Sequence, residues 1–373
     1  MRFLLFATLF LLVFTLLTLF ISKRLVNKLH FKPIYKRAFN IFLSFNLLGV
    51  LGYMLFRYYP VVPNFIYFLF SIPIGVIFLL FTTTVIYELF NYLIRITSKE
   101  NGRREFFKKS LDFSALALAS GINAKALYNA KHIETQNVTV KLKNLKKSYT
   151  LVQLSDIHIG GLIDKTFMAS LVKKVNDISC DVVVITGDLI DTDIKYAKKA
   201  LDELQNLKST YGTFFIVGNH EYFHNITVLL DYLTYIGINV LHNESHYIGN
   251  DNEGFNLAGV YDIFGYRIKA FEPNIKKALE QTKKDSPTIL LAHQPKFIEE
   301  VPSDVDLVLS GHTHGGQLIP FNVLVKLQQP YVKGLHQHNE STQIYVNKGT
   351  GFWGPPMRLG ASSELTVITL KGQ

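Results

Sequence analysis

The chain has 373 residues, a net charge of +10, a mean hydropathy of +0.18, and 29 Phe beside 19 Tyr. So apolar a balance excludes an ordinary soluble enzyme, and the length leaves room for two domains. Residues 1–149 carry 20 Lys+Arg against 5 Asp+Glu and the remainder 19 against 24, so the later half lacks the basic field that nucleic-acid binding needs.

Taken in order, Phe3 to Ile21 is an unbroken run of apolar residues and Thr, long enough to cross a bilayer core of roughly 30 Å. It lacks the short core and small-residue cleavage site of a removable signal. Lys23, Arg24, Lys28, Lys32, Lys36 and Arg37 follow and place the next loop in the cytoplasm. A second span is expected over about 39–56, then the link RYYPVVPN, then a third span over about 65–87, extending toward Ile94. Pro73 inside it is tolerable in a membrane helix. Arg95, Lys99, Arg103, Arg104, Lys108 and Lys109 mark a second cytoplasmic stretch. Residues 1–100 therefore read as a membrane domain of about three helices, its short N-terminus outside.

Residues 101–147 have two readings. RREFFKK followed by SLDFSALALASGINAKA has the form of a twin-arginine export address, and a short fourth crossing over 110–126 would put everything after it outside. Alternatively the segment is an amphipathic helix at the membrane surface, which Asp112 and a core of only a dozen apolar residues favour. The well-formed motif tips the expectation toward the outside. Residues 125–147 read as a polar linker leading to a strand near 138–142.

From residue 148 onward, strands alternate with helices and then strands dominate, the pattern of a sheet-on-sheet core flanked by helices. Helical spacing occurs over 164–175, 197–207 and 229–236, and strand patterns over 244–248 and 256–260. Cys180, the single cysteine, excludes an intramolecular disulfide and reads as a small buried residue rather than a reactive thiol.

Five hydrophobic strands each end in chemistry. LVQLSDIHIGG releases Asp156 and His158, two residues apart and so on one side of an extended segment. DVVVITGD ends in Asp188, YGTFFIVGNHE in Asn219, His220 and Glu221, ILLAHQ in His293, and VDLVLSGHTH in His312 and His314. C-terminal strand ends are where α/β sheets place their sites. Carboxylates, imidazoles and one amide without thiolate suit manganese, iron, zinc or cobalt.

This ordered set, Asp156-x-His158, Gly187-Asp188, Gly218-Asn219-His220-Glu221, His293 and Gly311-His312-x-His314, resembles the calcineurin-like metallophosphoesterase family over roughly 148–373. The longer form SGHTHGGQ resembles its bacterial, membrane-attached branch. The resemblance implies an α+β fold, a four-layer α-β-β-α sandwich preceded here by the helical membrane region. It also implies two divalent metal ions: Asp156, His158, Asp188 and His314 on one, and Asp188, Asn219, His293 and His312 on the other, with Asp188 bridging. His220 is left as the proton donor to the leaving oxygen, and Glu221 as an orienting group.

The expected protein is a hydrolase of the bacterial cytoplasmic membrane. It opens a phosphodiester or pyrophosphate bond with metal-activated water, on a substrate that membrane attachment suggests is a lipid, and it has no nucleic-acid partner. The competing expectation is a non-catalytic membrane sensor or scaffold that keeps the fold. A transporter is disfavoured because the spans carry few charges besides Glu88. His224, His242 and His246 read as surface or rim residues, and His336 and His338 as members of a solvated loop. The Gly/Pro-rich stretch 347–356, with Trp353, reads as a loop shaping access. Arg358 reads as either a phosphate contact or an exposed structural residue.

Overall fold

A computed structural model describes residues 2–57, 61–97 and 101–373. Part of the link RYYPVVPN (residues 58–60) and the stretch 98–100 with Lys99 lie outside the described residues.

Four helices come first: α1 (Arg2–Arg24), α2 (Pro33–Phe56), α3 (Asn64–Thr97) and α4 (Asn101–Lys131). Among the described residues, three helices are long and apolar enough to cross a membrane, Leu4–Lys28, Pro33–Phe56 and Asn64–Thr97. Each outruns its expected span by a few residues, because the basic ends continue the helical ladder where no Gly or Pro stops it. Phe14, Ile21, Leu43, Val50, Ile77 and Leu80 pack between α1, α2 and α3. Two polar clusters tie the ends together. Lys28 and Arg24 pair with Glu88 at 2.6 and 3.6 Å. Asp112 of α4, fully buried, accepts from His30 (backbone N 2.7 Å, Nδ1 2.8 Å) and from Tyr87 Oη at 2.9 Å.

α4 replaces the first part of the expected polar linker. Its burial repeats through Leu111/Asp112, Ala115, Ala119, Ala126 and Asn129/Ala130, a single stripe at helical spacing. Ala126 to Lys131 are helix-compatible residues continuing that stripe, and β1 (Glu134–Leu142) starts only three residues later. β1 contains the strand expected near 138–142 and starts four residues earlier; as an edge strand its outward residues are polar, which gives its first half the composition of a linker.

The remaining elements are β2 (Tyr149–Leu154), α5 (Lys165–Asn176), β3 (Val182–Ile185), α6 (Ile194–Leu201), β4 (Thr213–Phe215), α7 (Ile226–Tyr235), β5 (Asn239–Val240), β6 (Glu244–Ile248), β7 (Phe255–Gly259), α8 (Phe264–Ile268), α9 (Ile275–Leu279), β8 (Thr288–Leu291), β9 (Leu307–Ser310), α10 (Asn322–Lys326), β10 (Gly334–Gln337), β11 (Gln343–Val346) and β12 (Glu364–Gly372). Asp164 caps α5, accepting from the Thr166 and Phe167 amides. Two six-stranded sheets result, ordered β1-β12-β2-β3-β4-β5 and β10-β11-β9-β8-β7-β6. β2 to β5 are parallel, as are β7, β8, β9 and β11; β12 runs antiparallel to β2 and parallel to β1.

Alternation decides the layers. Leu151, Val182, Val184 and Phe214 face Leu257, Ile289, Leu307 and Leu309 between the sheets. Val152, Leu154, Val183 and Ile185 face Met168, Leu171, Ala197, Leu229 and Leu233 of the helices. On the other side Ala258, Leu290, Val308 and Ile344 meet Ala278, Phe297 and Ile298. The fold is the four-layer α-β-β-α sandwich. Strands covered on both faces read as continuous apolar runs, which is why these were visible in the sequence. β10 was not: His336 lies in it, and its residues are nearly all exposed.

The described residues divide into two compact units, one within residues 2–129 together with Gly354–Leu359, the other formed by Ala130–Trp353 and Gly360–Gln373. Arg358 therefore belongs with the helices, and it is fully buried rather than exposed. Its backbone N–H donates to Ala126 O at 2.8 Å.

Candidate metal centre

Every motif residue sits just past the C-terminal end of β2, β3, β4, β8 or β9, where the strands stop and backbone amides become free to bond side chains. Asp156, His158, Asp188, His312 and His314 all have φ between +49° and +68°. The left-handed region costs a non-glycine residue roughly 1–3 kcal/mol, so five such residues in one place mark a site held by its surroundings.

Three groups of ligand-type atoms converge: Asp156, His158 and His314; Asp188, His293 and His312; and His158, Asp191 and His220. Asp188 lies between them. Its Oδ2 is 3.3 Å from His293 Nε2 and 3.9 Å from both His158 Nε2 and His220 Nε2. His314 Nε2 is 3.4 Å from Asp156 Oδ1 and 3.0 Å from His158 Nε2. Asn219 Oδ1 is 3.2 Å from His293 Nε2. All seven residues expected from the motifs are thus brought together, with His220 beside them. His224, His242, His246, His336 and His338 are outside these groups; His242 instead bonds Tyr261 Oη at 2.6 Å.

The supporting shell fixes which atoms point inward. His293 Nδ1 donates to Thr186 O at 2.7 Å, leaving Nε2 as the lone-pair atom toward Asp188. His158 Nδ1 and His220 Nδ1 both bond Asp191 Oδ1, at 2.8 and 2.6 Å. The His312 amide donates to both oxygens of Asp156 at 3.0 and 2.9 Å, and the His220 amide to Asp188 Oδ1 at 2.8 Å. Glu221, fully buried, accepts from four amides: Gly218 at 2.7, Asp188 at 3.0, Leu189 at 2.7 and Ile190 at 3.3 Å. One carboxylate thereby clamps the loops after β3 and β4. Two glycines allow the approach. A side chain on Gly218 would collide with Asp188, and one on Gly311 with Ser155 and Asp156.

Burial raises the carboxyl of Asp188, but the imidazoles of His293 and His220 outweigh it and hold the group well below the usual carboxylate range. Burial likewise opposes charge on His220, yet Asp188 and Asp191 raise it to about 9. His293 is raised well above the ordinary value for the same reason, with Asp188 as the main opposing charge. His312, buried beside His293, is lowered to about 3. Glu221 is raised to about 7 by burial and by Asp188.

A model of the family described as calcineurin-like phosphoesterase matches residues 149–316. An uncharacterized metallophosphoesterase of Helicobacter pylori is 38% identical over 364 residues, covering 97% of each chain. One of Campylobacter jejuni is 35% identical over 379 residues, covering 100% of each. The chain belongs to the calcineurin-like metallophosphoesterase family. A Bos taurus relative, "Transmembrane protein with metallophosphoesterase domain", is 37% identical over 273 residues, 69% of this chain and 62% of its own length.

The residues of this metallophosphoesterase fit divalent ions. Ligands about 2.1 Å from a shared ion lie roughly 3–3.5 Å apart, which is the spacing of His158, His314 and Asp156 and of Asp188 and His293. Imidazole nitrogens facing each other at 3.0 Å with a carboxylate alongside suit a cation between them.

Two residues outside the motifs also reach the site or its surroundings. Asp191 follows Asp188 by one turn's spacing, and GDLID was the available signal. Asp262, buried after β7, takes Gln294 Nε2 and the Phe264 amide on Oδ1, at 2.9 and 2.8 Å, and its Oδ2 has no hydrogen-bond partner among the described residues. Burial raises it to about 6. Nothing local in YDIFG announced it. The Gly/Pro-rich stretch does reach the site: the Trp353 ring stands edge-on 6.1 Å from that of His220, and Trp353 exchanges backbone bonds with the Gln317 side chain at 2.8 and 3.0 Å.

Proposed function

We propose that this metallophosphoesterase hydrolyses a phosphodiester or pyrophosphate bond in a lipid-linked substrate at the bacterial cytoplasmic membrane. The observation carrying this reading is Asp188, whose carboxylate is reached by imidazoles from both groups of ligand-type residues. Asp156, His158 and His314 would hold one divalent ion with Asp188, and Asn219, His293 and His312 the other. When bound, such ions activate water and offset charge on the phosphoryl oxygens; manganese, iron, zinc and cobalt suit these ligands. The neutral amide of Asn219 leaves the centre cationic enough to draw a phosphate anion. His220 carries the proton: Asp191 fixes Nδ1–H, and Nε2–H is given to the leaving oxygen as its bond to phosphorus breaks. The lipid part rests on membrane attachment through apolar helices.

We place the catalytic unit on the outer face. Tyr87 of α3 meets Asp112 of α4. Farther along, a side chain on Gly75 of α3 would collide with Met357, whose neighbour Arg358 bonds Ala126 of α4. α4 thus runs antiparallel to α3, away from the basic loops. Between Ser110 and Ala130 only Asp112 and Lys125 are charged, a stretch of roughly 30 Å at about 1.5 Å per residue. α4 is less apolar than the three helices that could cross on composition alone, so this crossing rests on its packing against them: Asp112 is fully bonded within the helical unit, which lowers the cost of a crossing.

The test is turnover of bis-p-nitrophenyl phosphate by detergent-solubilised protein with manganese, against chelator-treated protein and Asp188→Asn. Manganese-dependent turnover lost in the mutant supports the hydrolase. Two bound ions with no turnover on any phosphodiester would favour the sensor or scaffold reading.

A further inference from the structure

Residues 307–339 contain no Asp or Glu, although the chain from residue 150 onward is net acidic. This acid-free stretch begins with the metal loop of His312 and His314 and continues into the excursion around α10. There the usual patterning fails. Ile319 is 46% exposed, Val323 57%, Leu324 55% and Leu327 79%, and Phe321 and Leu335 are exposed as well. Phe321, Leu324 and Leu327 follow each other at three-residue spacing and so share one side of the turn, with Val323 beside them. None of α10 is buried. Lys326 lies in its last turn and exposed Lys333 follows.

The patch adjoins the site. Asn322 packs so closely on Gly316, two residues past His314, that a side chain on Gly316 would strike it. Gln317, next in the chain, holds Trp353, whose ring stands against His220. Phe223, half exposed, lies 5.6 Å from His220 on the adjoining rim. Contiguous exposed apolar side chains flanked by lysines and joined to a catalytic rim need a partner.

We propose that residues 318–327 are a membrane-docking segment: the apolar side chains of α10 enter the acyl region of the bilayer, with Lys326 and Lys333 at anionic headgroups. The chain itself names the occupant. Its apolar helices tether it to a bilayer, and only two residues of chain separate α4 from β1. A short amphipathic segment with lysines at its edge is built to lie in that interface. A lipid whose phosphate stands at headgroup level would then reach the metal centre without leaving the bilayer. That consequence deepens the proposed lipid substrate; the docking itself does not depend on it.

The test uses full-length protein in nanodiscs of phosphatidylcholine and phosphatidylglycerol, with Cys180→Ser removing the native thiol and Leu327→Cys carrying a polarity-sensitive fluorophore. A parallel variant labels Lys284→Cys, an exposed polar position in the same unit. Docking predicts blue-shifted emission at position 327, at least halved by lipids brominated in their acyl chains and protected from aqueous iodide, with the reverse at 284. Quenching of the 327 label by iodide and not by bromolipid overturns the proposal. So does protection from both quenchers, which would mean that protein covers the patch. Label at Leu324→Cys repeats the measurement should Leu327→Cys fail to fold. Because neither readout requires turnover, failure here is distinguishable from failure of the hydrolase reading.

Discussion

Asp191 bonds two imidazoles with one oxygen, His158 at 2.8 Å and His220 at 2.6 Å, and so sets the tautomer of a proposed ligand and of the proposed acid together. Asp191→Asn removes the charge that helps raise His220 to about 9. The imidazolium is then less stable, and the alkaline limb of a kcat–pH profile on an alkyl phosphodiester moves to lower pH by about a unit, with kcat reduced roughly 10- to 100-fold. An unmoved limb would remove His220 from the role of acid. A second consequence concerns stability. His220 has a folded value of about 9 against 6.5, so its favourable contribution is complete below about pH 6.5 and is lost as pH rises through about 9. His293 shifts in the same direction. The thermal midpoint of chelator-treated protein is expected to fall across that window; a rise would contradict the sign. Glu221 is a different kind of group, since its work is to hold four amides. Glu221→Ala leaves buried donors unmet at about 1–3 kcal/mol each, and equilibrium unfolding should show a loss of several kcal/mol.

At the scale of elements, the site is made by strand ends that stop in register. β2, β3 and β4 deliver Asp156, Asp188 and Asn219 from one sheet, and β8 and β9 deliver His293 and His312 from the other. Closeness between those ends requires glycine where loops touch. Gly311→Ala would push the β9 loop away from Ser155 and Asp156, and metal affinity by isothermal titration should fall at least 10-fold while the sheets stay folded. Unchanged affinity would mean the loop relaxes freely. In the helical unit, Asp112 joins α4 to α3 and to the loop after α1 through three donors. Asp112→Ala leaves them unmet in a buried setting and is expected to lower the thermal midpoint in detergent, again by about 1–3 kcal/mol of stability.

For the whole molecule, ions that bind the folded state and not the unfolded one stabilise it by about 2.7 kcal/mol per site at a hundredfold excess over Kd. Chelation should therefore lower the unfolding temperature of the sandwich unit, and manganese should restore it in proportion to its concentration. Membrane placement is tested separately. Alkaline phosphatase fused after Lys146 should be active in cells and a fluorescent protein fused there dark; the opposite pair would put the catalytic unit in the cytoplasm.

The sequence by itself determined whatever is local. Apolar runs of membrane length, strands covered on both faces, and the ordered Asp, Asn and His at strand ends are written in neighbouring residues, so the spans, the four-layer sandwich and the seven candidate ligands could be read without coordinates. What depended on distant residues could not. β1 pairs with β12 across some 230 residues of chain; its second half, near 138–142, is legible as a strand, while its exposed first half has the polar composition of a linker. Arg358 reads in the sequence as a phosphate contact or an exposed residue, yet it is buried in the unit formed by the helices. Asp191 was one aspartate among many until the fold placed His158 and His220 on the same oxygen, and Asp262 became notable only through burial. The apolar face of α10 is the converse case. Composition would assign Phe321, Val323, Leu324 and Leu327 to a core, and only tertiary packing, which leaves them outside, turns them into a surface. Burial and proximity between remote residues are properties of the folded chain, and they decide which side chains carry chemistry and which merely pack.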